Sequence, residues 1–136
     1  MTVPQHPRVR ALGYVSHEVR HALLSHALVL IVPSPYESLS IALLEAWNYR
    51  VPAIVNARCA VLRGQVRRAN GGLFYRSSRQ FREALGHLLS RDQDRQEFGA
   101  QGHAYVEHEY RWPVVMARVE TLLTEASGNA ARRAHS

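Results

Sequence analysis

The chain contains no lysine. All 17 of its basic side chains are arginines, set against 11 acidic ones for a formal charge of +6 over 136 residues. Guanidinium groups favour bidentate contact with phosphate or carboxylate, so the excess points to anionic partners as well as to solubility. Cysteine is nearly absent: Cys59 stands alone, which excludes an intrachain disulfide and a four-sulfur zinc site and suits a reducing compartment. Long apolar runs are missing too. The longest, Ala27 to Val32, falls far short of the roughly 20 residues a membrane span needs, and Met1 to Pro7 lacks the apolar core of a signal peptide. These absences lead us to expect a cytoplasmic protein. There is room for one domain, no internal repeat, and no linker long enough to divide the chain.

What is present alternates. Val9 to Tyr14 reads as a short strand, and Ser16 caps a helix whose apolar face is Val19, Leu23 and Leu24. Leu28 to Val32 is apolar throughout, as expected of a strand covered on both faces. A helix follows over about Ser38–Tyr49, with Ile41, Leu44 and Trp47 at helical spacing, then a strand at Pro52–Asn56 and a weaker helix at Cys59–Ala69. The turn Asn70-Gly71-Gly72 leads into a last strand, Leu73–Tyr75. Helices at Ser78–Leu89, Asp92–Glu109 and Trp112–Ala126 close the chain, with Pro113 tolerated in a first turn. Trp47, Phe81, Leu85, Phe98 and Trp112 are expected to face the core. Residues 1–126 then form one α/β domain with a parallel sheet and C-terminal helices, and 127–136, small, polar and basic, form a flexible tail.

The densest local signal is Pro33-Ser34-Pro35-Tyr36-Glu37-Ser38-Leu39-Ser40, between an apolar strand and a helix carrying Glu45. In open α/β sheets ligands sit beyond the carboxyl ends of the strands. The backbone N–H groups of Ser38, Leu39 and Ser40, at the positive end of the helix dipole, suit a phosphate. Glu37 would compete with an anion there and is better matched to a sugar hydroxyl. On a continuous helix Glu45 lies about 12 Å further along the axis, so the two acids span something of nucleotide-sugar size. The spacing alone equally allows Glu37 to be a first-turn acid and Glu45 a solvated or ion-paired one.

The run from Pro33 to Trp47, with Glu37 and Glu45 eight residues apart, then Val51-Pro52-Ala53-Ile54-Val55 and Gly71-Gly72-Leu73-Phe74-Tyr75, resembles the donor-binding half of retaining GT-B glycosyltransferases of the family 4 type. The likeness extends from about Arg8 to Val119, with Tyr110-Arg111-Trp112 at a further motif position. It implies a partial Rossmann-like sheet, the C-terminal domain of the GT-B fold, and transfer of a sugar from a nucleotide-diphosphate sugar to an acceptor with retention. Glu37 would be the catalytic residue at the transferred sugar, the N–H groups of Ser38, Leu39 and Ser40 would meet the diphosphate, and Glu45 would hold the ribose hydroxyls. The resemblance implies no metal and no cofactor beyond the donor substrate. A non-catalytic remnant or interaction module of the same fold is the alternative.

Departures from the pattern are also legible. Ser38 and Ser40 stand where many members have glycine, and Arg50 stands at a usual glycine, so that turn must be built differently or Arg50 must adopt a strained conformation. The stretch that normally precedes Met1, two strands included, would hold the basic residues that grip the diphosphate, and the acceptor domain precedes that. The expected partners are therefore a nucleotide sugar and a missing N-terminal acceptor domain or partner chain. Homo-oligomerisation and peripheral contact with the inner membrane face are left open. In a sheet ordered 3-2-1-4-5-6 the absent strands would separate Val9–Tyr14 from Leu28–Val32. Either the first strand relocates, or another chain fills the gap, or a partial sheet of low stability results.

Two other motifs carry less. His17-Glu18-Val19-Arg20-His21 fits the zinc pattern H-E-x-x-H, but Arg20 charges the interval and no third ligand follows, so the histidines are read as surface residues and no metal site is expected. The arginine cluster Arg63, Arg67, Arg68, Arg76, Arg79 and Arg82 lacks interleaved aromatics, which argues against nucleic acid; Arg63 or Arg67 is instead expected near the donor phosphates or a membrane-borne acceptor. Cys59 is expected to be a packing residue, and His87, His103 and His108 surface ones.

Overall fold

The computed structural model describes residues 5–134, with side chains through residue 128. Three short parallel strands, β1 (Leu30–Val32), β2 (Ala53–Asn56) and β3 (Gly72–Tyr75), pair in the order β1-β2-β3. Leu30, Ile31 and Val32 lie opposite Ala53, Ile54 and Val55, which lie opposite Gly72, Leu73 and Phe74. The helices are α1 (His17–His26), α2 (Ile41–Asn48), α3 (Ala60–Ala69), α4 (Ser78–Ser90), α5 (Asp92–Glu109) and α6 (Trp112–Ala134). The expected α/β class, parallel sheet and C-terminal helices are all present.

Strand periodicity explains the layers. Leu30, Val32, Ala53 and Val55 share one face and build the main core with Leu43 and Trp47 of α2, Leu62, Val66 and Ala69 of α3, and Tyr105 and Val106 of α5. On the opposite face α4 packs against β3 and β2, with its Phe81 ring edge-on to Tyr75. A smaller cluster of Leu24, Ala46 and Val51 seats α1 beside α2.

Trp47 is fully buried, and its indole N–H donates to the Gly71 carbonyl oxygen at 2.8 Å. The ring is flanked so closely that a Cβ on Gly71 would stand 2.4 Å from it and one on Gly102 of α5 would stand 2.3 Å from it. Just beyond, α2 ends in a Schellman motif: the Arg50 N–H donates to the Trp47 carbonyl and the Val51 N–H to the Ala46 carbonyl, both at 2.9 Å. Arg50 takes the left-handed position at φ 58, so of the two routes foreseen for this non-glycine turn the strained one is used. Its carbonyl oxygen would lie 2.0 Å from a Cβ on Gly99, so α5 can close on this turn only with glycine there.

Several expectations are corrected. Residues 9–14 form no strand: Val9, Leu12 and Tyr14 are exposed, and Gly13 at φ 61 breaks the extended path. A strand needs a neighbour, and the outer edge of β1 is unpaired among the described residues. Relocation of residues 9–14 to the edge of β1 is not observed, and the sheet among the described residues has three strands. The apolar run before Pro33 is not covered on both sides, because β1 lies at the sheet edge and leaves Leu28 57% and Ile31 40% exposed. Only Leu24 of the expected α1 face is buried, and Trp112 is 75% exposed at the start of α6 rather than in the core. The α6 backbone continues to Ala134 where a frayed tail from 127 was expected, since alanine and arginine near its end favour helix; residues 135–136 lie outside the described residues. Among the described residues no helix is long and apolar enough to cross a membrane.

Four outcomes follow for stability. Gly102→Ala drives a methyl into the Trp47 ring and should cost about 1–3 kcal/mol, and Trp47→Phe, which leaves the Gly71 carbonyl without its donor, a similar amount, read from urea midpoints. Gln65 is 1% exposed and neither of its amide atoms has a partner, so Gln65→Leu should stabilise by roughly 1 kcal/mol. The Arg118 guanidinium, 2.6 Å from Glu109, holds that carboxyl below its ordinary value of 4.5, with His108 adding to the effect. The stabilisation is therefore present above the unfolded value and lost as pH falls through the folded one. The melting temperatures of wild type and Arg118→Ala should differ at about pH 7 and converge towards about pH 3.

Candidate functional site

The strands β1 and β2 run parallel, so both deliver the chain to the same edge of the sheet. There the segment after β1 (residues 33–40) and the turn after β2 (57–59) face each other. Asn56 ties them together: its side-chain N–H donates to the Pro33 carbonyl at 3.0 Å, and its Oδ1 accepts from the Arg58 backbone N–H at 3.0 Å. The Ala57 N–H donates to the Tyr75 carbonyl at 2.8 Å, fixing the turn to β3. Within the first segment the Ser34 hydroxyl donates to the Tyr36 carbonyl at 2.7 Å, a local turn that leaves the Tyr36 ring 88% exposed.

Between the two segments lies an open cleft of about 640 Å³ lined by Pro35, Tyr36, Glu37, Ser38, Arg58, Cys59, Ala60 and Val61. Glu37 is half-buried in its wall and makes no ion pair among the described residues. Cys59 is 4% exposed and packs into the main core as expected, while its position at the start of α3 leaves the first N–H groups of that helix without a side-chain cap.

The helix carrying Glu45 begins later than its sequence suggested. Ser40, not Ser38, is the N-cap: its hydroxyl oxygen accepts from the Leu43 N–H at 3.4 Å, and Ser40 itself is 4% exposed. Two serines compete for the cap, and the buried one wins because Leu43 and the helix behind it pack into the core. Glu37, Ser38 and Leu39 are therefore in the connecting segment. The backbone N–H groups of Ser38, Leu39 and Ser40 nonetheless donate to no protein acceptor among the described residues. Of the three residues only Ser38 lines the cleft, and Ser40 is buried.

Glu45 is not brought to this cleft. Its Oε1 lies 2.9 Å from Arg20 Nη2 of α1, the carboxylate is 24% exposed, and the same guanidinium nitrogen lies 3.0 Å from His17 Nδ1. Of the readings open at the sequence level, the ion-paired one describes Glu45 in this structure. The 12 Å axial span is also set aside, because only the last part of the interval from Glu37 to Glu45 is helical.

The second-rank motifs fall into place. His17 and His21 are exposed, their rings 6.4 Å apart, and His21 packs against Tyr49. Among the described residues no group of three His, Cys, Asp or Glu side chains is placed to hold a metal ion. Arg67 lies near the far end of α3 from the cleft, and the Arg63 guanidinium donates to the Ala57 carbonyl at 3.3 Å. The arginine at the cleft is Arg58, which the sequence reading did not single out. Its signal was its place immediately after a β-strand and before a helix. His87 pairs with Asp94 at 2.6 Å, and His103, read as a surface residue, has a buried Nδ1 with no partner.

A family profile described as glycosyl transferases group 1 matches residues 5–105. The fold is similar to that of a sucrose-phosphate synthase from Thermosynechococcus elongatus, with a TM-score of 0.77 and 23% identity over 90% of this chain. The match spans 31% of the synthase structure's own length. A GT-B, Rossmann-like fold with three parallel strands agrees with the profile, which covers most of this chain, and the chain belongs to the group 1 glycosyl transferases.

Proposed function

We propose that the chain binds a nucleotide-diphosphate sugar at the cleft between residues 35–38 and 58–61 and serves the transfer of that sugar, with retention, as the donor-binding part of a family 4 type enzyme. The observation that carries this reading is the cleft itself: at the carboxyl edge of a parallel sheet it is lined by Glu37, which has no ion-pair partner among the described residues, and by Ser38, whose backbone N–H donates to no protein acceptor among them. Glu37 accepts hydrogen bonds from hydroxyls of the transferred sugar, and the N–H groups stabilise charge on the departing diphosphate, where donors aimed at developing charge act most strongly. Glu45 keeps one carboxylate oxygen for the ribose while Arg20 holds the other. The acceptor side is supplied by a further domain or a partner chain, at the cytoplasmic face where such donors are made available.

One observation favours the alternative, a non-catalytic module of the same fold: Glu45 is already engaged by Arg20 and lies outside the cleft. The two readings separate in one experiment. Calorimetric titration of the chain with UDP, GDP and ADP sugars should find one that binds, with Glu37→Ala and Glu45→Ala each weakening it roughly 10- to 100-fold, the loss expected for hydrogen bonds to a charged group. Arg20→Ala should alter the affinity only a few-fold if Glu45 keeps a free oxygen. Binding of none of the donors, and no hydrolysis of any, would leave the module reading in place.

A further inference from the structure

We infer that Arg58 is a cation that holds the diphosphate in this chain. The inference rests on the donor-binding reading above. It starts from a charge pattern: between Glu45 and Asp92 there are nine arginines and a single carboxylate, Glu83, and that one lies 3.5 Å from Arg79. Of these nine, only Arg79 is in an ion pair among the described residues.

Geometry separates Arg58 from the rest. Arg63 is tethered to the Ala57 carbonyl, and Arg68 donates to the Tyr105 hydroxyl at 3.3 Å. Arg67 stands about 10 Å down the α3 axis from Ala60 at 1.5 Å per residue. Arg82 lines a different groove, with Ile31, Pro33, Tyr75 and Phe81, on the α4 side of the sheet. Arg58 alone among these lines the same cleft as Glu37, and its side chain has no hydrogen-bond or ion-pair partner among the described residues.

The backbone of Arg58 is not free to drift. Asn56 holds its N–H, and the same amide side chain holds the Pro33 carbonyl at the start of the facing segment. One side chain thus sets the spacing between the wall that carries Glu37 and the wall that carries Arg58. Glu37 and Arg58 share the cleft without pairing with each other. A ligand that satisfies both must present hydroxyl donors to one side and anionic oxygens to the other, which is the chemistry of a sugar joined to a diphosphate. The N–H groups of Ala60 and Val61, at the uncapped start of α3, lie on the anionic side.

The test is calorimetry on the full chain with two probes, inorganic pyrophosphate and the nucleotide sugar that binds best in a UDP, GDP and ADP sugar panel. Arg58→Ala should weaken both by roughly 10- to 100-fold, and Arg58→Lys should recover part of the loss. Arg67→Ala should leave both within about two-fold, and circular dichroism of each variant controls for folding. Glu37→Ala should weaken the nucleotide sugar but tighten pyrophosphate, because an anion is removed from beside an anion. If wild type and Arg58→Ala bind the nucleotide sugar alike, Arg58 is not the grip, and the donor reading stands. If wild type binds pyrophosphate through Arg58 but no nucleotide sugar, the anion site stands and the donor reading falls. Binding of neither probe overturns both.

Discussion

The indole of Trp47 is the contact on which the rest of this small fold depends. It is the largest fully buried side chain, and its N–H reaches across to the turn before β3. Glycines on both sides let backbone approach the ring, Gly71 from the turn and Gly102 from α5. One side chain therefore joins α2, the β3 entry and α5, three elements far apart in sequence. A three-stranded sheet has little apolar area of its own, so a single aromatic residue sealed on every side carries an unusual share of the core. Because Trp47 lies on α2, fixing it also fixes where α2 begins, and so how much of the chain after β1 is left as the wall of the cleft.

The second constraint is an edge. β1 pairs with β2 on one side only, and no strand forms from residues 9–14 to cover the other. The half-exposure of Ile31 and Leu28 follows from that, as does the shallow groove beside Phe81. Edge strands in native proteins are shortened, charged or covered, and here the edge is three residues long. Helix α1 still takes its place beside α2, held by Leu24 in an apolar cluster, by His21 against Tyr49 and by the Arg20–Glu45 pair.

Much of this was legible in the chain, for reasons that differ by element. Parallel strands and the helices between them could be placed because period-2 and period-3.6 patterns are local, and turns such as Asn70-Gly71-Gly72 punctuate them. The left-handed turn at Arg50 was visible as a non-glycine where a glycine was wanted. What escaped depended on competition or on distance. Ser38 and Ser40 are equivalent as caps until burial of Leu43 decides between them. Val9–Tyr14 has a strand's composition, but a strand is a property of a pair, and its partner is not in the sheet. Glu45 was expected at the site because the run around it resembles a family motif, whereas its engagement by Arg20 is a tertiary contact that no spacing reveals. Arg58 was overlooked because cluster counting favours Arg63, Arg67 and Arg68, while only the parallel arrangement of β1 and β2 brings residue 58 opposite residue 37.

The two glutamates therefore stand in different energetic positions. Glu45 is compensated within the protein, since an arginine beside a partly buried carboxylate offsets its desolvation. Glu37 is half-buried with no cation to offset it, although Arg58 lines the same cleft. Asn56 ties the two walls together through its hydrogen bonds to the Pro33 carbonyl and the Arg58 N–H. Uncompensated charge lining a cleft is the arrangement expected where charges are kept for a ligand.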